Sequence, residues 1–333
     1  MKLSRLGEFG LIDRIRARAA GGRGVRIGIG DDAAWVDHPA GSSLITADLL
    51  IEEVHFDLSW ISLFELGYKS LAVNLSDIAA MGGAPAYALL SLGIPGSFDS
   101  KQIEELYRGV NALARQTGVA LVGGDTNIAP SLIVSVCVIG HPPEQPVFRS
   151  GAGVGDDIYV TGTLGDSGLG MSFLKRGMKR TQNRLIKHLI LRHHRPTPRI
   201  AAGALLARRR LATAMIDISD GLLQDLGHIC QASGVGAVIW NDRLPLSLAY
   251  RALAGSEKTA FALSGGEDYE LLFCARPKDR SRIDKLAKPA GVRITRIGAC
   301  VPGRRGVKVL DSSGKAISTR FEGHDHFKAP VRI

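Results

Sequence analysis

Residues 25–34, with the sequence VRIGIGDDAA, place two adjacent carboxylates directly after a strand-like pattern. Apolar residues at every second position predict a short, half-buried strand, and Gly28 and Gly30 allow its backbone to approach a ligand closely. Asp31 and Asp32 repel each other unless a cation or strong hydrogen-bond donors hold them. The chain must therefore fold so that other groups meet these two side chains.

Acidic residues recur along the chain in similar settings, after short apolar runs or beside glycine; residues 44–47, for example, predict a short strand that ends at Asp48. An acidic turn in solvent would explain residues 31–32 alone, but it would not explain the repetition. The further carboxylates that we expect to join the pair are Asp48, Asp77, Asp125, Asp217 and Asp220. Such a set repels a polyphosphate unless several Mg²⁺ ions lie between the two, so the pattern predicts magnesium-dependent phosphoryl chemistry.

Two helices are predicted from capping boxes, one beginning with residues 62–65 (SLFE) and one with residues 99–102 (DSKQ). In the first helix, Ser70, Asn74 and Asp77 are spaced by four and three residues and therefore share one face. A buried face with these side chains needs polar partners, which a metal or a phosphate would supply.

Three prolines within residues 142–146 indicate a stiff connection between two domains. The length of 333 residues also favours two domains. We therefore predict an N-terminal domain over residues 1–141 and a C-terminal domain over residues 149–333. Strands and helices alternate in the second half, so the predicted fold class is α/β (α+β).

The formal net charge of +10 raises nucleic-acid binding as another class of function, because clustered arginines such as residues 208–210 can neutralise phosphates. Aromatic residues make up only 6% of the chain and do not interleave with the basic runs, which gives no stacking platform for single strands. A solvated basic surface, or attraction of small anionic substrates, explains the charge. We expect no nucleic-acid partner.

The longest uninterrupted apolar candidate, residues 132–139, has the length of a strand and not of a membrane span. The basic N-terminus is not followed by the apolar core of a signal peptide. The four cysteines are far apart and form no CxxC pair. We expect a cytoplasmic protein with free thiols and no membrane partner.

Two phosphate-binding motifs are only partly matched. Residues 28–33 (GIGDDA), with Asp48 twenty residues after the first glycine, fit the spacing of a dinucleotide fingerprint, but Pro39 and Gly41 interrupt the helix that this motif must open. Residues 255–259 (GSEKT) lack the glycine spacing of a P-loop. The sequence therefore predicts neither a dehydrogenase nor a P-loop NTPase.

Five motifs follow one another along nearly the full chain: GIGDDA at 28–33, AVNLSDIAAMG at 72–82, GGDT at 123–126, SDGL at 219–222 and SGGEDYEL at 264–271. As a set they resemble thiamine-monophosphate kinase, a family of the wider aminoimidazole ribonucleotide synthetase-like group of ATP-using enzymes. The resemblance implies a two-domain α/β subunit and a homodimer in which N-terminal sheets pair across the interface. It also implies ATP and Mg²⁺ binding in the N-terminal domain, an active site completed by the C-terminal domain, and conversion of thiamine monophosphate to the diphosphate.

The resemblance also implies three groups of site residues. Ligands of several Mg²⁺ ions would be Asp32, Thr46, Ala47, Asp48, Asp77, Asp125, Asp217 and Asp220. Nucleotide contacts would be Tyr107, Gly124, Asp125, Arg149 and Ser219, although Tyr107 lies beside the apolar stripe of its helix and by pattern belongs to the core. Substrate contacts would be His55, Glu267 and His324.

Three positions depart from the pattern of the family. Ala47 and Asn127 both stand where threonine is usual, and His324 stands where tryptophan or tyrosine is usual. Ala47 matters little if the ligand there is a backbone carbonyl, whereas His324 changes the surface on which the substrate stacks. For Arg149 we expect no acidic partner nearby, which would leave its guanidinium available for phosphate.

The chemistry that we expect is direct in-line transfer of the γ-phosphoryl group of ATP, without a catalytic side chain. A phosphate monoester has its second pKa near 6, so the acceptor is largely deprotonated at neutral pH and needs no general base. Selenophosphate synthetase and the hydrogenase-maturation relative lose support, because the chain has no cysteine before Cys137 and ends without one. The alternatives are another ATP-using member of the group or a non-enzymatic basic protein that binds nucleic acid.

Overall fold

The computed structural model describes residues 3–18, 24–255, 259–303 and 306–317. Two seven-stranded sheets organise the fold, one in each half of the chain. The elements of the first half are α1 (Leu3–Arg18), β1 (Val25–Ile27), β2 (Ala34–His38), β3 (Gly41–Ile51), α2 (Leu63–Ala80), β4 (Ala84–Ile94), α3 (Ser100–Thr117), β5 (Ala120–Gly123), β6 (Thr126–Ile128) and β7 (Ile133–His141).

The N-terminal sheet has the order β1-β2-β3-β7-β4-β5, and β6 also pairs with β4. β5 and β6 run parallel to β4, and the other neighbouring strands are antiparallel. The helices α2 and α3 cover one face of this sheet. Along β3, Leu44, Thr46 and Leu50 are buried on the helix side, while Ala47 and Leu49 are exposed on the opposite side, as the two-residue period of a strand requires.

The sequence prediction of both helices is confirmed, including their capping boxes at Ser62 and Asp99. α2 and α3 approach each other closely because glycines lie at their contact. A Cβ atom on Gly67 would lie 2.0 Å from the backbone oxygen of Leu106, and one on Gly109 would lie 1.8 Å from that of Phe64. Neither position therefore has room for a side chain.

The second sheet has the order β14-β13-β10-β12-β8-β11-β9, in which only β10 and β13 pair in parallel. Its helices and strands, apart from three short 3₁₀ turns, are β8 (Asp157–Thr161), α4 (Asp166–Lys175), α5 (Arg184–His194), α6 (Ile200–Arg208), β9 (Ala214–Asp217), α7 (Leu222–Ser233), β10 (Gly236–Trp240), α8 (Leu248–Leu253), α9 (Ala260–Ser264), β11 (Leu271–Ala275), α10 (Arg280–Asp284), α11 (Ala287–Ala290), β12 (Ile294–Val301), β13 (Val307–Leu310) and β14 (Ala316–Ile317). The fold is thus α/β with two sheets, as the sequence predicts.

α2 connects the two halves, because it also packs against α5, α6 and β9. A Cβ atom on Gly203 of α6 would lie 2.0 Å from the backbone oxygen of Ala79 in α2, so these helices meet backbone to backbone. Trp60, just before α2, packs against the apolar core of the second half. Side chains on α2 can therefore face residues of both sheets.

One prediction about a strand is wrong. The sequence predicts that Asp48 follows a short strand over residues 44–47, but β3 continues to Ile51. The apolar residues Leu49 and Leu50 extend the pairing with β7, so Asp48 lies inside the strand. Within the described residues, no helix combines the length and the apolar character that crossing a bilayer requires.

Candidate active site

Three carboxylates from separate parts of the chain meet between the two halves of the molecule. Asp32 follows β1, Asp77 lies in the last turn of α2, and Asp217 ends β9. One oxygen of each lies within 4.8 Å of the others. Burial and the charge of Asp32 raise the pKa of Asp217 to about 8, and burial with the neighbouring acids raises the pKa of Asp77. Acids this close favour a cation between them.

The donor set of this group fits Mg²⁺. The oxygens Asp32 Oδ2 and Asp217 Oδ2 are buried and have no hydrogen-bond partner among the residues that the structure describes. A buried charged oxygen without a partner is costly, and hard cations prefer carboxylate oxygen.

β3 adds two polar side chains on its helix side. The hydroxyl of Thr46 donates to Asp77 Oδ2 at 2.6 Å, and the backbone N–H of Asp48 donates to Asn74 Oδ1 at 3.1 Å. Burial and the charge of Asp220 raise the pKa of Asp48 to about 6. The side chain of Ala47 points to the opposite face of the sheet, so only its backbone is available to a metal.

The predicted polar face of α2 is brought to the site only in part. Asn74 bonds to β3 and Asp77 joins the carboxylate group, but the hydroxyl of Ser70 donates to the backbone oxygen of Gly67 at 3.0 Å. Ser70 is therefore satisfied within its own helix and does not contact the site.

Asp220 lies in the turn between β9 and α7, where Gln224 donates to its Oδ2 at 3.0 Å. A carboxylate oxygen of Asp220 also lies within 4.8 Å of ligand atoms of Asp225 and His228, neither of which the sequence analysis predicts. Asp225 accepts the backbone N–H groups of Gly221 at 3.0 Å and Asp220 at 3.2 Å. These bonds give Asp225 a structural role at the start of α7.

Asp125 is exposed and is not part of the group formed by Asp32, Asp77 and Asp217. Its carboxylate accepts from the backbone N–H of Thr126 at 2.8 Å and from the side chain of Asn127 at 2.7 Å. The preceding Gly124 has a φ of 151°, and a Cβ atom there would lie 1.7 Å from the backbone oxygen of Leu90. Glycine is therefore required where this loop passes β4.

Arg149 pairs with the first acidic pair of the sequence. Its Nη2 lies 2.8 Å from Asp32 Oδ1, and its backbone N–H donates to Asp31. Burial lowers the pKa of Arg149, but the carboxylates of Asp32, Asp31 and Asp217 together raise it above its usual value. The expectation that Arg149 has no acidic partner nearby is thus wrong, since the strand end at Asp32 folds onto the connection between the sheets.

A second polar group lies around Glu267. Its carboxylate is 2.8 Å from Nζ of Lys69 and 3.1 Å from Nδ1 of His193. Burial raises the pKa of Glu267, but Lys69, His193 and, to a smaller extent, His55 lower it below its usual value. Nδ1 of His55 accepts the backbone N–H of Ile51 at 3.0 Å. The structure therefore brings together two of the three predicted substrate residues, His55 and Glu267, and it adds Lys69 and His193, which were not predicted from the sequence. A lysine within the apolar run of α2 is the signal that could have indicated the first.

Of the remaining predicted residues, Tyr107 packs against the core and Ser219 lies near the site. Tyr107 is partly buried against the N-terminal core, which agrees with its pattern in the helix. The backbone oxygen of Ser219 accepts the N–H of Glu267 at 2.7 Å, so Ser219 lies between the two polar groups. His324 lies outside the described residues.

Comparisons with known proteins show which family this chain resembles. The family AIR synthase related protein matches through its N-terminal domain at residues 30–141 and its C-terminal domain at residues 153–311. The chain is 41% identical to the thiamine-monophosphate kinase of Salmonella typhimurium, covering 97% of this chain and 99% of that protein.

Two solved structures are similar over nearly the whole chain. The structure of AaThiL complexed with AMPPCP and TMP has a TM-score of 0.85 and 36% identity, and the match covers 98% of this chain and 99% of that one. The thiamine-monophosphate kinase from Stenotrophomonas maltophilia K279a has a TM-score of 0.78 and 42% identity, covering 93% and 98%.

Proposed function

The chain belongs to the thiamine-monophosphate kinase family, and on that premise we propose that it transfers the γ-phosphoryl group of ATP to the phosphate of thiamine monophosphate. The products are thiamine diphosphate and ADP. The observation that carries this proposal is the meeting of Asp32, Asp77 and Asp217 between the two halves of the molecule. Buried acids of raised pKa suit a polyphosphate that arrives with its cations.

We assign ATP and metal binding to residues 1–141 and completion of the site to residues 149–333. Several Mg²⁺ ions would be held by the acids of the two halves, with Thr46 and the backbone of Ala47 as further ligands. The full set is Asp32, Thr46, Ala47, Asp48, Asp77, Asp125, Asp217 and Asp220. Bound Mg²⁺ neutralises phosphate charge and orients the phosphoryl group. The exposed Asp125 would reach a metal ion bound to the phosphates of the nucleotide, because its loop connects β5 and β6 of the same sheet.

The proposed transfer is direct and in line. An oxygen of the acceptor phosphate forms the new P–O bond while the bond between the γ-phosphorus and the bridging oxygen to the β-phosphate breaks. The acceptor oxygen is largely deprotonated at neutral pH, so no side chain has to remove a proton. Positioning and charge neutralisation then supply the rate enhancement.

Arg149, Gly124 and Ser219 are the proposed nucleotide contacts, with Tyr107 at the edge. Arg149 would share its guanidinium between Asp32 and a phosphate, since it has several donors in a planar fork. His55, Glu267 and His324 are the proposed contacts of the acceptor. Since Nδ1 of His55 accepts a backbone N–H, Nε2 carries the proton and is a donor.

A homodimer through the N-terminal sheets is supported by the outer face of that sheet. Rows of side chains on this face run across neighbouring strands, for example Ile45, Ile139 and Tyr87. Leu49 and Val122 on the same face are 48% and 57% exposed. A sheet with apolar side chains on both faces indicates an association surface. We also propose a cytoplasmic location, because ATP and four free thiols, two of which lie 3.6 Å apart without forming a disulfide, suit a reducing compartment.

An assay of acceptors tests the proposed activity. The protein is incubated with Mg·ATP and either thiamine monophosphate, thiamine or an aminoimidazole-pathway precursor. The products are then separated and identified by mass spectrometry. We expect thiamine diphosphate and ADP in equal amounts with thiamine monophosphate alone. ATP turnover with the precursor only would support another member of the group, and no turnover with any acceptor would refute the kinase.

The stereochemistry at phosphorus tests the direct mechanism. With ATP made chiral at the γ-phosphorus by oxygen isotopes and sulfur, a single in-line displacement inverts the configuration. Retention would require two displacements through a phosphorylated side chain and would refute direct transfer.

A further inference from the structure

The loop between α9 and β11 holds Glu267 in a fixed direction. Glu267 and Tyr269 have positive φ angles of 65° and 50°, which non-glycine residues rarely adopt. Their backbone N–H groups donate to the oxygens of Ser219 and Ile218 at 2.7 and 2.8 Å. Such strain persists where surrounding structure enforces it, and it is common at functional sites.

Lys69 meets this carboxylate from the opposite half of the molecule. It lies in α2, its side chain is only 2% exposed, and its Nζ is 2.8 Å from Glu267 Oε1. A lysine is almost never fully buried unless it is paired. Within the described part of the chain this ammonium has no hydrogen-bond partner, so its charge is balanced by the ion pair with Glu267.

His193 of α5 meets the other oxygen. Its Nδ1 lies 3.1 Å from Glu267 Oε2 and 3.0 Å from the hydroxyl of Ser167. Burial and the charge of Lys69 lower the pKa of His193 to about 3, so the ring is neutral. A lone pair facing a carboxylate at this distance would be repulsive, so Nδ1 carries the proton, and its N–H faces Glu267 Oε2 as well as the hydroxyl of Ser167.

We propose that Lys69 is a positioning residue of the acceptor site, which with His193 holds the Glu267 carboxylate ionised and oriented for an N–H donor of the substrate. This inference rests on the proposed function. Because the ammonium already balances the negative charge, Glu267 offers its remaining lone pairs as acceptors and is not a free counter-ion. The amino group on the pyrimidine ring of thiamine monophosphate is a donor of the required kind.

Kinetics of Lys69→Met test the proposal. We expect the KM for thiamine monophosphate to rise at least about tenfold, as for the loss of one charged hydrogen bond, while the KM for ATP changes less than about twofold. In a background of Glu267→Gln, the same change should have little further effect, because residues that act through one group are not additive.

Glu65→Gln is the matched control. Glu65 lies one turn earlier on α2 and pairs with His194 at 3.3 Å and Arg195 at 3.6 Å, so it joins the same two helices without contacting Glu267. A purely structural role for Lys69 would give equal effects in Lys69→Met and Glu65→Gln, and that outcome would overturn the proposal. If Lys69→Met does not fold, His193→Gln replaces it, with the same expected split between the two KM values.

The pH profile separates positioning from loss of packing. Four groups face Glu267: Lys69 from α2, His193 from α5, His55 from the loop before α2, and Tyr269 from its own loop. Without Lys69 the carboxyl group takes up its proton at higher pH, so the defect in KM should shrink as the pH rises from 6.5 to 9. The ratio of the variant's KM to the wild-type KM is taken at each pH, because the titration of the substrate phosphate affects both values equally. A constant ratio contradicts the proposal, whereas a wild type that makes no thiamine diphosphate contradicts the proposed function instead.

Discussion

Burial and mutual repulsion of the carboxylates in the candidate site raise the pKa of Asp217 and Asp77. Asp32, Asp77 and Asp217 lie close together, and the pKa of Asp217 rises to about 8 through burial and the charge of Asp32. Without a cation, therefore, the folded protein holds protons at neutral pH that the unfolded chain has already released.

The stability of the metal-free protein should fall with rising pH. The pKa of Asp217 is about 8 when folded and about 3.9 when unfolded. The stability linked to this group is therefore present in full below about pH 4 and is lost as the pH rises through about 8. In EDTA we expect the Tm to fall by at least about 3 °C between pH 5 and 8.5, a change of about 1 kcal/mol or more, and Mg²⁺ to reverse the fall.

Asp217→Asn is the informative variant, since asparagine keeps the volume and removes the charge. It should flatten the pH dependence in EDTA and lose most of the stabilisation by Mg²⁺. If the variant and the wild type show the same pH dependence of Tm in EDTA and the same rise of Tm with Mg²⁺, Asp217 is not a ligand of the proposed metal site.

Arg149→Lys tests the proposed phosphate contact. Lysine keeps the charge but cannot bond in a planar fork to Asp32 and a phosphate at once. We expect the KM for ATP to rise about tenfold, near the lower limit for a charged hydrogen bond, with little change in the KM for the acceptor. Arg210→Lys is the control, because Arg210 forms only an exposed pair with Glu144 beside the same connection. Equal values of the ATP KM in all three proteins would exclude the contact.

At the scale of elements, α2 carries most of the arrangement. It brings Asp77 to the carboxylates, Asn74 to β3, and Lys69 to Glu267 in the other half. Its start is predicted correctly from the capping box, because that signal is local. The pair formed by Lys69 and Glu267 joins residues far apart in sequence, so periodicity alone could not indicate it.

β3 shows the same limit. Residues 44–47 predict a strand, but its length depends on pairing with β7. The strand therefore extends to Ile51, beyond the predicted end at Asp48. The exposed position of Asp125 and the pairing of Arg149 with Asp32 also depend on which loops meet after folding. The motifs identify which residues belong to the candidate site. Which of them contact each other across the two halves is seen only in the structure.

The contact of α2 with α3 gives a prediction for a glycine. Gly109→Ala would place a Cβ atom against the backbone oxygen of Phe64, at 1.8 Å before any adjustment. Alanine normally favours a helix, but overpacking here should lower the free energy of unfolding by about 1–3 kcal/mol. Gly227→Ala in α7 is the control, because nothing lies within 4 Å of its Cβ position, and it should be neutral or slightly stabilising. Denaturant unfolding of both variants measures the difference, and equal midpoints would contradict the close contact.

At the scale of the whole molecule, the proposed dimer interface and the candidate active site share one strand of the N-terminal sheet, β3. Thr46 and Asp48 lie on the helix side of β3, and Ala47 and Leu49 between and beside them lie on the exposed apolar face. A partner subunit on that face would hold β3 in place from the opposite side. The proposed dimer would then couple association to the proposed metal binding through this strand.

Tyr87→Glu tests this coupling. Tyr87 is 46% exposed on β4, so a charge there should be tolerated by the folded monomer but not by an apolar interface. We expect the wild type to have the mass of a dimer in sedimentation and Tyr87→Glu that of a monomer. The monomer should need a higher Mg²⁺ concentration for half-maximal activity, and its kcat/KM should be reduced about tenfold or more, as when a site loses its support. Leu248→Glu is the control, because Leu248 is 84% exposed in the second half, away from this sheet. A monomeric wild type would exclude the interface, and a monomeric Tyr87→Glu with full activity would show that β3 needs no support from a partner.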